Sequence, residues 1–356
     1  MNETLKIVHC ANFSNFKNGA SYYAMDRKIT HGLIQNGHFV YNFSYRDVAK
    51  ARRFLGFKKK SIQLMNQDLI DTCTNIKPDI LLLGKAETIS LVTLKTIKEL
   101  IPDIKIVQWF VDFLETEKKE FFDKFNYIDT FLKTSPLSLM ELSREYPDTI
   151  FSCLPNISDP AFDKEYRAEK EYEILYIARD NKEDVRARFA KLLDEFCKQE
   201  NINLKIYGSL GNEGVFGTKY YEEISRAKIA INFNRNDDLY HQNKDKILGS
   251  SDRMNQFLGA KVCTFSPRIP GFEKLYVDKK DIIYFDDVND CFQKIKYYLE
   301  DDKYTNIASN GQQKAYSIVN AKRITKFLLD LSLEQKSEDN YEWQEYIYKN
   351  GVQHGI

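Results

Sequence analysis

The sequence predicts an α/β chain built as two halves, each around a parallel sheet. Three observations carry that expectation. Residues 80–83 and 104–109 are short, nearly continuous apolar runs, the mark of parallel strands buried on both faces. The order strand, polar loop, helix recurs in both halves. A length of 356 residues suffices for two domains of ordinary size, each with its own core.

Taken in order, residues 5–10 form an apolar strand, and the loop 11–20 carries Asn12, Ser14, Asn15, Asn18 and Gly19 before a helix over 21–35. Asn36-Gly37-His38 stops that helix, and 39–43 starts the next strand. Thr88 is placed to cap a helix that runs to about Leu100 and is closed by Pro102. The strand ends lead into polar loops at 9–18, 85–87 and 112–115, on the edge where open α/β sheets take their ligands. A turn-rich stretch at 154–160, followed by the charged segment 163–173, marks the domain boundary.

The second sheet begins at 172–178, with Arg179-Asp180-Asn181-Lys182 as its first loop. The helix after it, 183–200, carries Val185, Phe189, Leu192, Leu193 and Phe196 on one face. Gly249-Ser250-Ser251 makes a small polar turn before a short helix over 252–258, which Gly259 can end in the left-handed conformation. Strands at 261–265 and 281–285 and a helix over 288–300, with Phe292, Ile295, Tyr298 and Leu299 at helical spacing, complete this half. The expected domains are 1–157 and 158–330, with a tail over 331–356.

The turn at 249–251 is the most telling feature. A helix that opens this way aims backbone N–H groups, the hydroxyls of Ser250 and Ser251 and the positive end of its dipole at one spot, and Arg253 adds a forked charge. These are the parts of a diphosphate cradle. The plainer reading is a helix cap by either serine, with Asp252 satisfying the dipole.

Composition removes several other classes. Lys plus Arg (52) equal Asp plus Glu (52), so no global basic field attracts nucleic acid. The six cysteines are scattered and the five histidines lack ligand spacing, so no metal and no cofactor is expected, and the thiols read as free in a reducing compartment. No G-x-G-x-x-G follows the first strand and no P-loop is present. The first apolar stretch contains Lys6 and reads as a strand rather than a signal sequence, and no run approaches the roughly 20 apolar residues that span a bilayer. The expected location is the cytoplasm. Residues 50–60 hold six basic and no acidic residues around Phe54, Leu55 and Phe57; they read either as a solvated loop or as a surface for peripheral contact with anionic membrane.

A longer pattern now bears on function. Ser251-Asp252-Arg253, Leu258-Gly259, Thr264, Pro270-Gly271-Phe272-Glu273, Asp286-Asp287, Tyr297-Tyr298-Leu299 and Ile307 to Gly311 occur in an order that resembles the C-terminal half of GT-B glycosyltransferases, in the group 1 branch near the spore-maturation CgeB proteins. The similarity extends upstream through Ile206-Tyr207-Gly208, Val215-Phe216-Gly217 and residues 227–232, and the opening strand, glycine loop and helix resemble the first GT-B unit.

That resemblance implies two Rossmann-like domains whose parallel sheets face a central cleft, with a C-terminal helix crossing back onto the first. It implies transfer of a sugar from a nucleoside-diphosphate donor to a saccharide or lipid-linked acceptor in bacterial surface polysaccharide or glycoconjugate synthesis, without a metal. It places Arg179, Lys182, Ser250, Ser251 and Arg253 on the diphosphate and Tyr207, Gly208, Val215 and Gly217 beside the base. Asn232 and Asn234 fall near the ribose or sugar, and Asn18 and Gly19 in the acceptor-side loop. One departure stands out. Retaining members carry a pair of glutamates before the cradle helix, whereas residues 240–259 contain none, and Asp245 and Asp252 stand seven apart, out of register. An inverting enzyme needs a base from the first domain; Asp112 is the first candidate, then Glu87 and His9. Two other functions stay open: a sugar-nucleotide epimerase or hydrolase, or a non-catalytic subunit of a polysaccharide-assembly complex.

Overall fold

A computed structural model describes residues 4–53, 56–112, 114–179, 184–234, 239, 248–249 and 251–355. The chain forms two compact units, residues 1–155 with 321–356 and residues 156–320. In chain order the strands are β1 Lys6–Ala11, β2 Phe39–Ser44, β3 Ile80–Gly84, β4 Lys105–Phe110, β5 Thr130–Lys133, β6 Ile150–Cys153, β7 Tyr172–Ile177, β8 Leu204–Tyr207, β9 Ala227–Ile231, β10 Cys263–Pro267, β11 Ile283–Phe285, β12 Ile347–Lys349 and β13 Val352–Gln353.

The first unit holds one sheet in the order β13-β12-β6-β5-β4-β3-β1-β2. Strands β1 to β6 are parallel, in keeping with the apolar runs of β3 and β4, and β12 joins β6 antiparallel. One face packs Val8, Leu81, Leu83 and Ile106 against Met65 and Leu69 of the helix Lys58–Ile76. Ser90, not Thr88, caps the helix Leu91–Leu100, its Oγ accepting from Thr93 N at 3.1 Å.

The helix Ala321–Ser332, most of which falls within the expected second domain of 158–330, belongs to this first unit. Its amphipathic side lies on the helix Met25–Gln35, and a Cβ at Gly32 would stand 2.1 Å from the Ala321 carbonyl oxygen. Asn36 Nδ2 donates to Lys322 O and Thr325 Oγ1, both at 2.9 Å. The residues after this helix form no further helix crossing the unit; they end in the β12–β13 hairpin on the sheet edge.

Lys124 is buried in this unit, with Nζ donating to Ala86 O at 3.2 Å, and desolvation pushes its ammonium down to about 8. Between that value and the 10.5 of the unfolded chain, the unfolded state binds the extra proton, so stability rises with pH across this window and is lower below it. Lys124→Met is therefore expected to stabilise the fold at pH 7 by roughly 3 kcal/mol and to flatten that rise. Urea melts of both proteins at pH 7 and pH 10 check it; a gain that does not change with pH contradicts it.

The second unit carries a five-stranded parallel sheet, β11-β10-β9-β7-β8. Phe189, from the helix Val185–Gln199, stacks on Phe233 with ring centroids 4.5 Å apart. Gly259 does not end the cradle helix in a left-handed turn. It lies inside the helix Asp252–Gly259, where a Cβ would meet Asp163 Cβ and Ser158 Oγ at 2.5 Å, and the positive φ of 56° falls on Lys261. Here glycine serves close packing, not backbone freedom.

Candidate active site

Because the strands of the second unit are parallel, Arg179 after β7, Gly208 after β8 and Asn232 after β9 emerge on one edge of the sheet. Four helices begin there. Asp184 caps Val185–Gln199 by accepting from Arg186 N and Ala187 N, and Asp287 caps Val288–Leu299 by accepting from Asp290 N. The helices Thr218–Ser225 and Asp252–Gly259 have no side-chain cap. Carboxylates thus fill two positive helix ends, while the helices begun by Gly217 and Ser251 have no side-chain cap among the described residues, which suits them to an outside anion.

At the second of these the side chains are fixed by a network. Ser251 occupies the cap position, yet its hydroxyl donates to Asn232 Oδ1 at 2.8 Å and its amide to Asn234 Oδ1 at 3.1 Å. Arg253 Nη2 donates to Phe233 O at 2.8 Å and to Asn232 Oδ1 at 3.1 Å. Asn232 is fully buried, and its Nδ2 turns toward Asn234 Oδ1 and Ser266 Oγ at 3.4 and 3.5 Å. It is therefore the joint that holds Ser251 and Arg253, with its amide spent inside the protein rather than offered to a ribose. Arg253 Nε is buried and has no hydrogen-bond partner among the described residues. An orphaned donor of this kind costs about 1–3 kcal/mol, which an arriving anion would offset. The carboxylate of Asp252, in the first turn, accepts from Gln256 Nε2 at 3.2 Å.

Around this network, Arg179 is exposed. Tyr207 donates its hydroxyl to Glu223 Oε2 at 2.7 Å. Gly208 has φ +75°, and a Cβ there would lie 2.9 Å from Ala178 O, so only glycine fits. Val215 turns inward and is buried; the loop instead presents Phe216, 63% exposed between Gly214 and Gly217. The resemblance puts the whole loop Val215-Phe216-Gly217 beside the base, and Phe216 is its exposed side chain. Lys182, Ser250 and Asp245 lie outside the described residues.

In the first unit the candidate bases separate sharply. Asp112, just past β4, keeps 45% of its side chain exposed and pairs with Lys85 from the loop after β3. Glu87 is held by Arg46 Nε at 2.8 Å and by the Tyr45 hydroxyl. His9 is fully buried: Nδ1 meets Thr30 Oγ1 at 2.9 Å, Nε2 faces Asp26 Oδ1 at 3.6 Å, and Trp109 Nε1 donates to the same oxygen. A ring enclosed in this way does not reach an acceptor hydroxyl, so His9 serves packing instead. Asn18 and Gly19 form an exposed turn with φ of 49° and 81° after the short helix Asn15–Lys17. Lys85 and Ala86 are two successive left-handed residues, with φ 55° and 52°, in the loop that carries Glu87.

With this geometry in place, comparison with known proteins is informative. Residues 183–330 match the family described as glycosyl transferase-like. That match spans under half of the chain, and it describes similarity over residues 183–330 alone. No curated protein matches it. Among solved structures it is similar to HepE (Alr3699) of Anabaena in complex with UDP and glucose, with TM-score 0.61 and 9% identity over 93% of this chain and 100% of that one. A glycosyltransferase from Rickettsia africae ESF-5 gives TM-score 0.60 and 10% identity over 93% and 98%, and sucrose-phosphate synthase from Thermosynechococcus elongatus 0.59 and 9% over the same shares. At such identities these neighbours establish the fold: two Rossmann-like domains.

Proposed function

We propose that this protein transfers a sugar from a nucleoside-diphosphate donor to a saccharide or lipid-linked saccharide acceptor, as in surface polysaccharide or glycoconjugate synthesis. The observation that carries the reading is the Ser251–Asn232–Arg253 network at an uncapped helix start, with Arg253 Nε buried and unpartnered among the described residues. Departure of the diphosphate needs its growing charge met, and a helix end with an anchored guanidinium does this without a metal. The complexes of HepE with UDP and with UDP-glucose support a nucleotide-sugar donor by analogy of fold. Phe216 offers a ring face for the base, and Arg179 a second cation on the same edge.

The test is release of nucleoside diphosphate from a panel of nucleotide sugars, with and without saccharide acceptors. Acceptor-dependent release supports transfer, and EDTA should leave the rate unchanged. Consumption without acceptor would mean a hydrolase or epimerase instead. Asp112 is the proposed base, since its side chain is 45% exposed against 33% for Glu87 and, among the described residues, it is held by Lys85 alone, whereas Glu87 is held by both Arg46 and Tyr45. Asp112→Asn should lower acceptor-dependent turnover by about 100-fold to 10,000-fold while donor binding persists. A near-normal rate would remove Asp112 from the mechanism.

A further inference from the structure

The first unit carries a surface that the transferase reading does not use. The helix Lys58–Ile76 opens with Lys58, Lys59 and Lys60, has no acidic residue in its first turn and no side-chain cap. Three lysines at the positive end of a dipole oppose it, so local stability does not account for them. The cap position is Phe57, 66% exposed. A second exposed ring lies on the same unit: Phe16, 53% exposed, sits in the turn Asn15–Lys17, which is tied to the helix Tyr45–Ala51 by Asn15 N donating to Asp47 Oδ2 at 2.7 Å. Lys50 of that helix stands 5.0 Å from the centre of the Phe16 ring. Arg52, just past the end of that helix, reaches Asp68 on the lysine-led helix at 2.6 Å and joins the two helices.

The nearby carboxylates are already engaged. Asp47 accepts from Asn15 N and Ser44 Oγ, and Asp68 from Arg52. Lys17, Arg53, Lys58, Lys59 and Lys60 make no ion pair among the described residues. Formal charge balances over the whole chain, so these cations are a local concentration and not part of a general basic field. Phe54 and Leu55, inside the basic run, lie outside the described residues.

We propose that this face of the first unit docks on an anionic lipid bilayer, the cations among the headgroup phosphates and the rings of Phe16 and Phe57 at the acyl boundary. Exposed aromatics set among unpaired cations fit that interface, which rewards both kinds of group at once. Among the described residues no helix is long and apolar enough to cross a membrane, so the contact is peripheral. The proposal is independent of the donor site.

Co-sedimentation of the full chain with vesicles of phosphatidylcholine and phosphatidylglycerol in equal parts tests it, beside vesicles of phosphatidylcholine alone. Binding is expected to the anionic vesicles and to weaken with salt. Replacing Lys58, Lys59 and Lys60 together by Ala should weaken it by about 100-fold, at about fivefold per lysine. Phe57→Ala should weaken it further. Because the lysines oppose the dipole, the triple variant should melt no lower than the parent, which separates lost docking from lost folding. Equal binding to both vesicle types, unchanged binding by the triple variant, or full displacement of vesicles by a single-stranded oligonucleotide would overturn the proposal. UDP binding on the same preparation reports the donor site separately, so failure of one reading is distinguishable from failure of the other.

Discussion

Arg253→Ala should slow donor turnover by about 30-fold to 1000-fold, the loss of roughly 2–4 kcal/mol of transition-state stabilisation from a charge-assisted pair. Because Arg253 Nη2 donates to Phe233 O and Asn232 Oδ1, its removal should also cost about 1–2 kcal/mol of stability, a modest fall in Tm. Arg253→Lys separates the two effects: it restores the charge without the fork, so rate should recover in part while the bonds to β9's exit loop do not. Turnover and melting measured on one preparation check this. A near-normal rate in the alanine variant would move the diphosphate elsewhere on the sheet edge, with Arg179 the next residue to test.

Gly32→Ala is the substitution expected to harm the fold most. Inside a helix the change usually stabilises by about 1 kcal/mol. Here the added methyl would stand 2.1 Å from the Ala321 carbonyl oxygen and 2.6 Å from Thr325 Oγ1. Backbone cannot yield as a flexible side chain does, so the helices Met25–Gln35 and Ala321–Ser332 must part. The expected loss is about 2–4 kcal/mol, beyond ordinary overpacking because the obstacle is main chain. Gly37→Ala is a useful control. Its Cβ would meet nothing within 4 Å, so only the strain of φ +90° is added. Urea denaturation of the three proteins decides; a Gly32→Ala midpoint at or above that of the parent would show that the helices do not approach as described.

The strands most legible from sequence were those whose burial on both faces leaves an apolar run, such as β3 and β4. β5 and β6 span four residues each and were not singled out, and β12 pairs with β6 across almost two hundred residues, a contact that no local pattern announces. The turn at Ser251 and Arg253 was visible because helix starts have their own chemistry. That Asn232 would bind both was not, since the joint exists only once the exit of β9 meets a helix that starts some twenty residues later. Gly259 shows a related limit: a glycine needed for close contact and one needed for a left-handed turn are the same letter. His9 looked accessible at a strand end, and only the packing of Phe13, Asp26 and Trp109 around it encloses the ring.

The central claim is that the edge of the second unit binds a nucleoside diphosphate through Arg253. The most direct measurement is the melting of parent and Arg253→Ala in a panel of UDP, GDP, CDP and dTDP. A ligand at 100 times its Kd adds about 2.7 kcal/mol, so at least one nucleotide should raise the parent's Tm by several degrees. At the same concentration the variant should respond far less. No response of the parent to any nucleotide, or an equal response of both proteins, would contradict the account.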